Sequence, residues 1–358
     1  MTHFLSRTNP LFFIAEIGGN HEGDFAYAKR LVQLALESGA DAVKLQIYSG
    51  DTLVSRVESP DRNRHFKRFE LTREQYAYLI AMCEEAGTQF MASVWDRGRL
   101  AWAEPHIRIH KAGSGDLTAF PMLRALVDSG KPLILSTGLA TLPEIEATVR
   151  YVETLDPSYI REGKLALLQC SAAYPCPDAD ANLNAMLTLR QAFDLPVGYS
   201  DHTTDNEAAY LAAAMGAQIL EMHFTDTREG KTFRDHLVSI TRDEVRDLLT
   251  RISRMRTLQG SFVKQPTPTE LAQGHVASFR RSVYAARPID RGEPFTEDNL
   301  TVLRPAAGVS ATRYAEFLGT TARRAIGEHE VLTADDLAAA HAESSPASGT
   351  DGGTGTRE

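Results

Sequence analysis

Cysteine is scarce in this chain, with only Cys83, Cys170 and Cys176 in 358 residues. Three thiols at these spacings build neither a disulfide framework nor a zinc pattern, and a reducing cytoplasm is the expected compartment. Long apolar runs are also missing. None approaches the roughly eighteen residues of a membrane helix, and the opening MTHFLSRTNP lacks the layout of a signal peptide. Positive charge is in deficit, 38 Lys and Arg against 47 Asp and Glu, for a net charge of −9. That argues against a general nucleic-acid binder but leaves room for a locally basic pocket that takes a small anion. No GxGxxG follows the first apolar run, which weakens a dinucleotide-binding reading.

What is present is an alternation. The apolar runs LFFIAEIG, AVKLQIY, QFMASVW, IRIHKAG, PLILSTG, KLALLQC, PVGYSDH and AQILEMHF are separated by stretches of helical periodicity, several of which end in glycine. Near-continuous apolar strands alternating with helices imply parallel pairing with both faces covered. Eight such units predict an α/β chain that begins with a (β/α)8 TIM barrel over residues 1–260. Residues 261–276, rich in Pro, Gly and polar side chains, read as a linker with some helical content. Residues 277–340 read as a small β-rich module in which PIDRGEPFTEDNL and AIGEHEVLTADDL look alike, each a short strand, a turn and an acidic stretch. Residues 341–358 have nothing apolar to bury and read as a disordered tail.

Barrel chemistry sits at the C-terminal strand ends. Those ends carry Glu16, Lys44, Gln46, Ser93, Lys111, Ser114, Asp116, Ser136, Thr137, Gln169, Tyr174, His202 and His223. Lysines and hydroxyls suit a phosphate or carboxylate, carboxylates handle protons, and two imidazoles from neighbouring strand ends can share a divalent cation that polarises a carbonyl. A lysine inside an apolar run, as in AVKLQIY, is costly without an anionic partner, so Lys44 and Lys111 read as ligand-facing. Other positions stay open. Asp201 either orients His202 or caps the next helix, Glu221 either supports His223 or pairs with a cation, and Cys170 reads as a small core residue.

These stretches together resemble the sialic acid synthases, enzymes that use phosphoenolpyruvate to make N-acetylneuraminate and related nine-carbon acids. The matching phrases are AEIGGNHEGDFAYAKRLVQLALESGADAVKLQ, KAGSGDLTAFPML, KPLILSTGLATLPEI, LLQCSAAYP, PVGYSDHT and ILEMHFT, and the C-terminal module is similar to the SAF, or antifreeze-like, domain of those enzymes. The resemblance spans nearly the whole chain. It implies a transferase that forms a carbon–carbon bond between phosphoenolpyruvate and an open-chain amino sugar such as N-acetylmannosamine, with release of phosphate. It further implies a divalent metal, Mn2+ or Mg2+, on His202 and His223. Lys44, Gln46, Ser93, Lys111 and Ser136 would bind phosphoenolpyruvate, and Glu16, Asp116 and Lys111 would serve the chemistry. Glu16, Tyr174 and Asp235 would face the sugar. Arg304 would reach it from the partner chain of a domain-swapped homodimer.

The chain departs from the family pattern at four places. Asp116 stands where Glu is usual, FRDH at 233–236 replaces GPDH, CSAAYP replaces CT-polar-polar-YP, and RPAAG replaces RPGxG. All four fall on the sugar side, which predicts the same reaction on an altered acceptor, for instance a diacetamido hexose or a secondary-metabolite sugar. Two competing readings are a Schiff-base barrel aldolase using Lys44 or Lys111 and a non-catalytic carbohydrate-binding protein.

Overall fold

The structure is a computed structural model and describes residues 11–337. The tail expected at 341–358 lies outside the described residues. Two compact units divide at Gly260 and Ser261.

The first unit realises each of the eight apolar runs as a strand. They are β1 Phe12–Gly18, β2 Ala42–Ile47, β3 Gln89–Val94, β4 His110–Ala112, β5 Leu133–Ser136, β6 Leu165–Cys170, β7 Val197–Asp201 and β8 Ile219–Phe224. All neighbouring pairs in the order β3-β2-β1-β8-β7-β6-β5-β4 are parallel. β3 and β4 remain adjacent without ladder bonds, so the barrel is nearly closed. A short strand not foreseen, β9 Ser239–Ile240, adds to β8 through His223 and Phe224.

Helices between the strands form for local reasons. In Phe25–Glu37, Asp24 accepts from the amides of Ala26 and Tyr27, and Ala28, Leu31, Val32 and Ala35 make one buried stripe. Thr72 with Gln75, and Thr141 with Glu144, close reciprocal caps at the helices Arg73–Glu85 and Leu142–Leu155.

Strand alternation then sorts the side chains. Phe13, Ala15, Ile17, Val43 and Leu45 point outward into the layer shared with the helices. Phe12, Ile14, Ala42, Met91, Ile109, Ile134, Ala166, Leu168 and Ile219 fill the barrel axis as a separate apolar plug. Two residues on from these inward positions, the same face carries Glu16, Lys44, Ser93, Lys111, Ser136, Cys170 and Glu221.

The second unit contains two short helices, Pro268–Ala272 and His275–Phe279, where a linker with helical content was expected. Its regular strands, β10 Ser282–Ala285 and β11 Leu300–Leu303, pair antiparallel. The two similar phrases do not each hold a strand. Isolated bridges join them instead, with Ile289 and Ile326 exchanging both backbone hydrogen bonds at 2.9 Å. Their likeness lies in side chains that staple turns. Arg287 pairs with Glu293 and Arg324 with Glu330, while Glu293 accepts from the Asp290 amide and Glu330 from the Gly327 amide. Val283, Phe295, Phe317 and Leu332 belong to this unit's own core. Among the described residues no helix is long and apolar enough to cross a membrane.

Candidate active site

A cavity of about 840 Å³ opens at the C-terminal end of the barrel strands. Its floor is a layer of buried charge. Lys44 Nζ lies 2.7 Å from Glu16 Oε2 and 3.6 Å from Glu221 Oε2, and Lys111 Nζ lies 3.5 Å from Glu221 Oε1. The register explains the meeting, because Glu16 sits beside Lys44 across β1–β2 and β8 lies against the other side of β1. Lys111 also donates to Ser136 Oγ at 2.7 Å, Ser200 donates to Glu221 Oε1 at 3.1 Å, and Gln46 Nε2 donates to Glu16 Oε1 at 3.0 Å.

Burial alone lowers the pKa of a lysine and raises that of a carboxylate. At Lys44 burial is outweighed by Glu16 and Glu221, and its pKa lies above the ordinary value. At Lys111 burial wins over the pull of Glu221, and its pKa lies below. Glu221 is held below the usual carboxylate range against its own burial, by Lys111 and Lys44. Asp116 moves the other way: burial raises its pKa, and Trp95 and Lys111 offset only part of that.

Above this floor stand the two histidines, with ring centroids 5.4 Å apart. His202 Nδ1 lies 2.7 Å from the Ser171 carbonyl oxygen, which can only accept, so the proton is on Nδ1 and Nε2 carries a free lone pair. Burial and the neighbouring His223 lower the His202 pKa to about 3, keeping it neutral. This is the state of a metal-binding imidazole. The backbone makes room at Gly18, whose φ is +55° and whose added Cβ would lie 3.2 Å from Glu16 Oε1 and 3.3 Å from the His223 ring. At Gly19 a Cβ would press on Phe233 and Phe69.

The outer lining holds the rings of Phe66, Phe69, Trp95 and Phe233 together with Tyr174, Arg234 and Asp235. The Tyr174 ring centroid lies 4.0 Å from that of His202 with the rings tilted by 35°, and the Arg234 guanidinium lies 4.2 Å from the Tyr174 ring centroid.

With this geometry in view, comparison with known proteins places the chain. The NeuB family profile matches residues 31–264, and the SAF domain profile matches residues 280–338. The chain belongs to the NeuB family. It is 34% identical over 332 residues to the N,N'-diacetyllegionaminic acid synthase of Campylobacter jejuni, covering 89% of this chain and 98% of that one. It is 33% identical over 307 residues to the human N-acetylneuraminate-9-phosphate synthase, covering 82% and 83%. A crystal structure of the N-acetylneuraminic acid synthetase of Leptospira borgpetersenii, in complex with citrate, superposes with a TM-score of 0.69 at 31% identity, covering 75% of this chain and 91% of that one.

In this NeuB-family barrel, Glu16, Lys44, Gln46, Ser93, Lys111, Asp116, Ser136, Tyr174, His202, His223 and Asp235 all line the one cavity. Arg304 lies in the second unit, its guanidinium 5.5 Å from the Phe279 ring centroid. Thr137 and Gln169 turn to backbone carbonyls of Leu168 and Ala181 and do not line the cavity. Asp201 takes neither alternative: its Oδ1 accepts from the Thr203 amide at 2.8 Å in the loop after β7, the following helix Glu207–Ala214 begins after Asn206, and His202 is oriented by Ser171. Glu221 takes the cation-pairing alternative, and it joins two lysines at once. Cys170 is buried, yet it lines the cavity, with Sγ 3.7 Å from His202 Nδ1. Sequence reasoning missed Ser200 and the aromatic wall. Ser200 was findable, since it is the inward position two before His202. The rings of the wall come from three separate segments and share no local pattern.

Proposed function

We propose that the protein condenses phosphoenolpyruvate with an open-chain N-acyl hexosamine, N-acetylmannosamine or a relative, to give a nine-carbon 2-keto-3-deoxy acid and phosphate. The observation that carries this reading is the floor of Lys44, Lys111, Ser93 and Ser136 beneath the imidazoles of His202 and His223. The methylene carbon of phosphoenolpyruvate forms a bond to the aldehyde carbon, and the aldehyde oxygen becomes a hydroxyl. Water adds at the carbon bearing the phosphate ester, and the carbon–oxygen bond to phosphate breaks.

Lys44, Lys111, Gln46, Ser93 and Ser136 bind the anion by charge-assisted hydrogen bonds. Glu16 and Asp116, at opposite sides of the floor, hold and release the protons, and burial favours a protonated Asp116. Tyr174 and Asp235 orient the sugar. His202 and His223 would hold a divalent cation, whose chemistry when bound is to polarise the aldehyde. Among the described residues no cluster of three or more His, Cys, Asp or Glu is arranged for a metal, so substrate and water would complete the set. A homodimer in which Arg304 serves the partner chain belongs to the same proposal and is checked by solution mass and by Arg304→Ala kinetics.

The test is phosphate release from phosphoenolpyruvate with an aldose and Mn2+. His202→Ala and chelation are expected to reduce it to background without unfolding the protein, and retained turnover in either sinks the reading. The lowered pKa of Lys111 favours one second reading, a Schiff-base aldolase. Borohydride trapping of pyruvate on Lys111, with activity that survives chelation, would establish it instead.

A further inference from the structure

Ladder bonds join every neighbouring pair of barrel strands except β3 and β4, and two cavity residues stand on either side of that seam. Trp95 follows the last residue of β3, its amide donating to the Ile47 carbonyl at 3.1 Å. Asp116 closes the turn Ser114–Asp116 after β4, its amide donating to the Gly113 carbonyl at 2.9 Å. Both side chains line the cavity.

The Trp95 indole is held in a niche of rings. The Tyr48 ring lies 5.1 Å away, tilted by 35°, and the Phe66 ring meets it edge-on at 6.4 Å. A phenylalanine would suit such a niche without bringing a polar atom. Trp95 brings one: Nε1 is buried and has no hydrogen-bond partner among the described residues. An indole N–H can only donate, and a buried donor left unpaired is costly.

The acceptor it faces is Asp116. Burial is the largest influence on that carboxyl and favours its protonated form. Against burial act the Trp95 side chain first, then Lys111 from β4 as the charged neighbour, then the Gly113 backbone. A protonated carboxyl asks less of a donor than a carboxylate does. The indole N–H therefore stands close enough to favour the ionised Asp116 without being bonded to the group as it is. Hydrogen bonds in active sites are often open in this way and tighten as the reaction proceeds.

We propose that Trp95 is a positioning residue: its indole N–H takes up the Asp116 carboxylate once that group has given up its proton, and so fixes the carboxylate across the seam between β3 and β4. The part of Asp116 in the chemistry rests on the condensation proposed above; the contact between the two side chains does not.

The chain holds two tryptophans, so Trp102→Phe leaves Trp95 as the sole indole of the full-length protein, with its fluorescence as a reporter. That fluorescence is expected to titrate with a midpoint above about 4, the ordinary aspartate value, while far-ultraviolet circular dichroism stays flat. Adding Asp116→Asn is expected to remove the titration. A titration that persists without Asp116, or no titration in either protein, overturns the inference. In the phosphate-release assay, the limb of the kcat/KM profile that shares this midpoint belongs to Asp116. Trp95→Phe is expected to move that limb up by about one pH unit, the size of one lost hydrogen bond to a charged group, with the KM for phosphoenolpyruvate changed by less than about twofold. Trp95→His, which keeps a ring N–H, is expected to recover part of the shift. An indole that served packing alone would lower stability in Trp95→Phe and leave the limb in place, and that result overturns the inference as well. Should no aldose release phosphate, the condensation itself fails, and the fluorescence titration alone then decides whether Trp95 holds Asp116.

Discussion

His110 and Lys111 are adjacent on β4, equally buried, and on opposite faces of the barrel wall. Outward, under the helices, His110 meets Ser129, whose hydroxyl donates to the Leu126 carbonyl and so accepts from His110 Nε2 at 2.9 Å. Its Nδ1 has no partner, and burial lowers its pKa to about 4. The outward layer tolerates a titratable group by keeping it neutral. Inward, Lys111 meets Glu221, Ser136 and a cavity. The axis tolerates charge by balancing it. Burial is therefore the same on the two faces, and what separates scaffold from site is whether charges converge on open space.

The comparison can be broken most severely at Glu221. Glu221→Gln keeps the shape and leaves Lys44 and Lys111 buried with one carboxylate between them, and breaking a buried pair in this way costs about 3–5 kcal/mol. Urea unfolding measures it, and a loss under about 1 kcal/mol would mean that water reaches the floor and the inward face is not the dry charged layer described here.

The outward face is sharpened by pH. The folded-state pKa of His110, about 4, is depressed below the unfolded value. The contribution is therefore fully present above about pH 6.5 and is lost as pH falls toward 4. Between pH 7 and pH 5 this one group removes about 2 kcal/mol of stability, and His110→Gln is expected to flatten that part of the stability–pH curve. An unchanged slope would place the proton elsewhere. The smallest effect is expected at the exposed pair Arg150–Glu146 on the helix Leu142–Leu155. Arg150→Ala should change stability by less than about 0.5 kcal/mol, a baseline against which the buried pairs are read.

Much of this was legible in the chain beforehand. Each of the eight runs became a strand, because each is short, apolar and bounded by helix stops. Lys44 could be read as site-facing from AVKLQIY alone, since an unpaired lysine does not survive inside an apolar strand. Glu221 could not be settled, because its partners lie on β2 and β4, far away in sequence and close only once the sheet curls. Asp201 was ambiguous for the opposite reason. Capping and orienting would use the same carboxylate, and the structure gives it a third partner, the Thr203 amide at 2.8 Å in the loop before the next helix. The paired phrases of the second unit signalled internal likeness, but it resides in Arg–Glu staples and not in the strands expected there.

By itself the sequence determined the barrel and most of the polar groups at its strand ends, because period-two alternation and the price of burying charge are local rules. Only the tertiary structure decided which charges neutralise one another and which aromatic rings share the cavity with them, because those depend on distances between segments that no local pattern encodes.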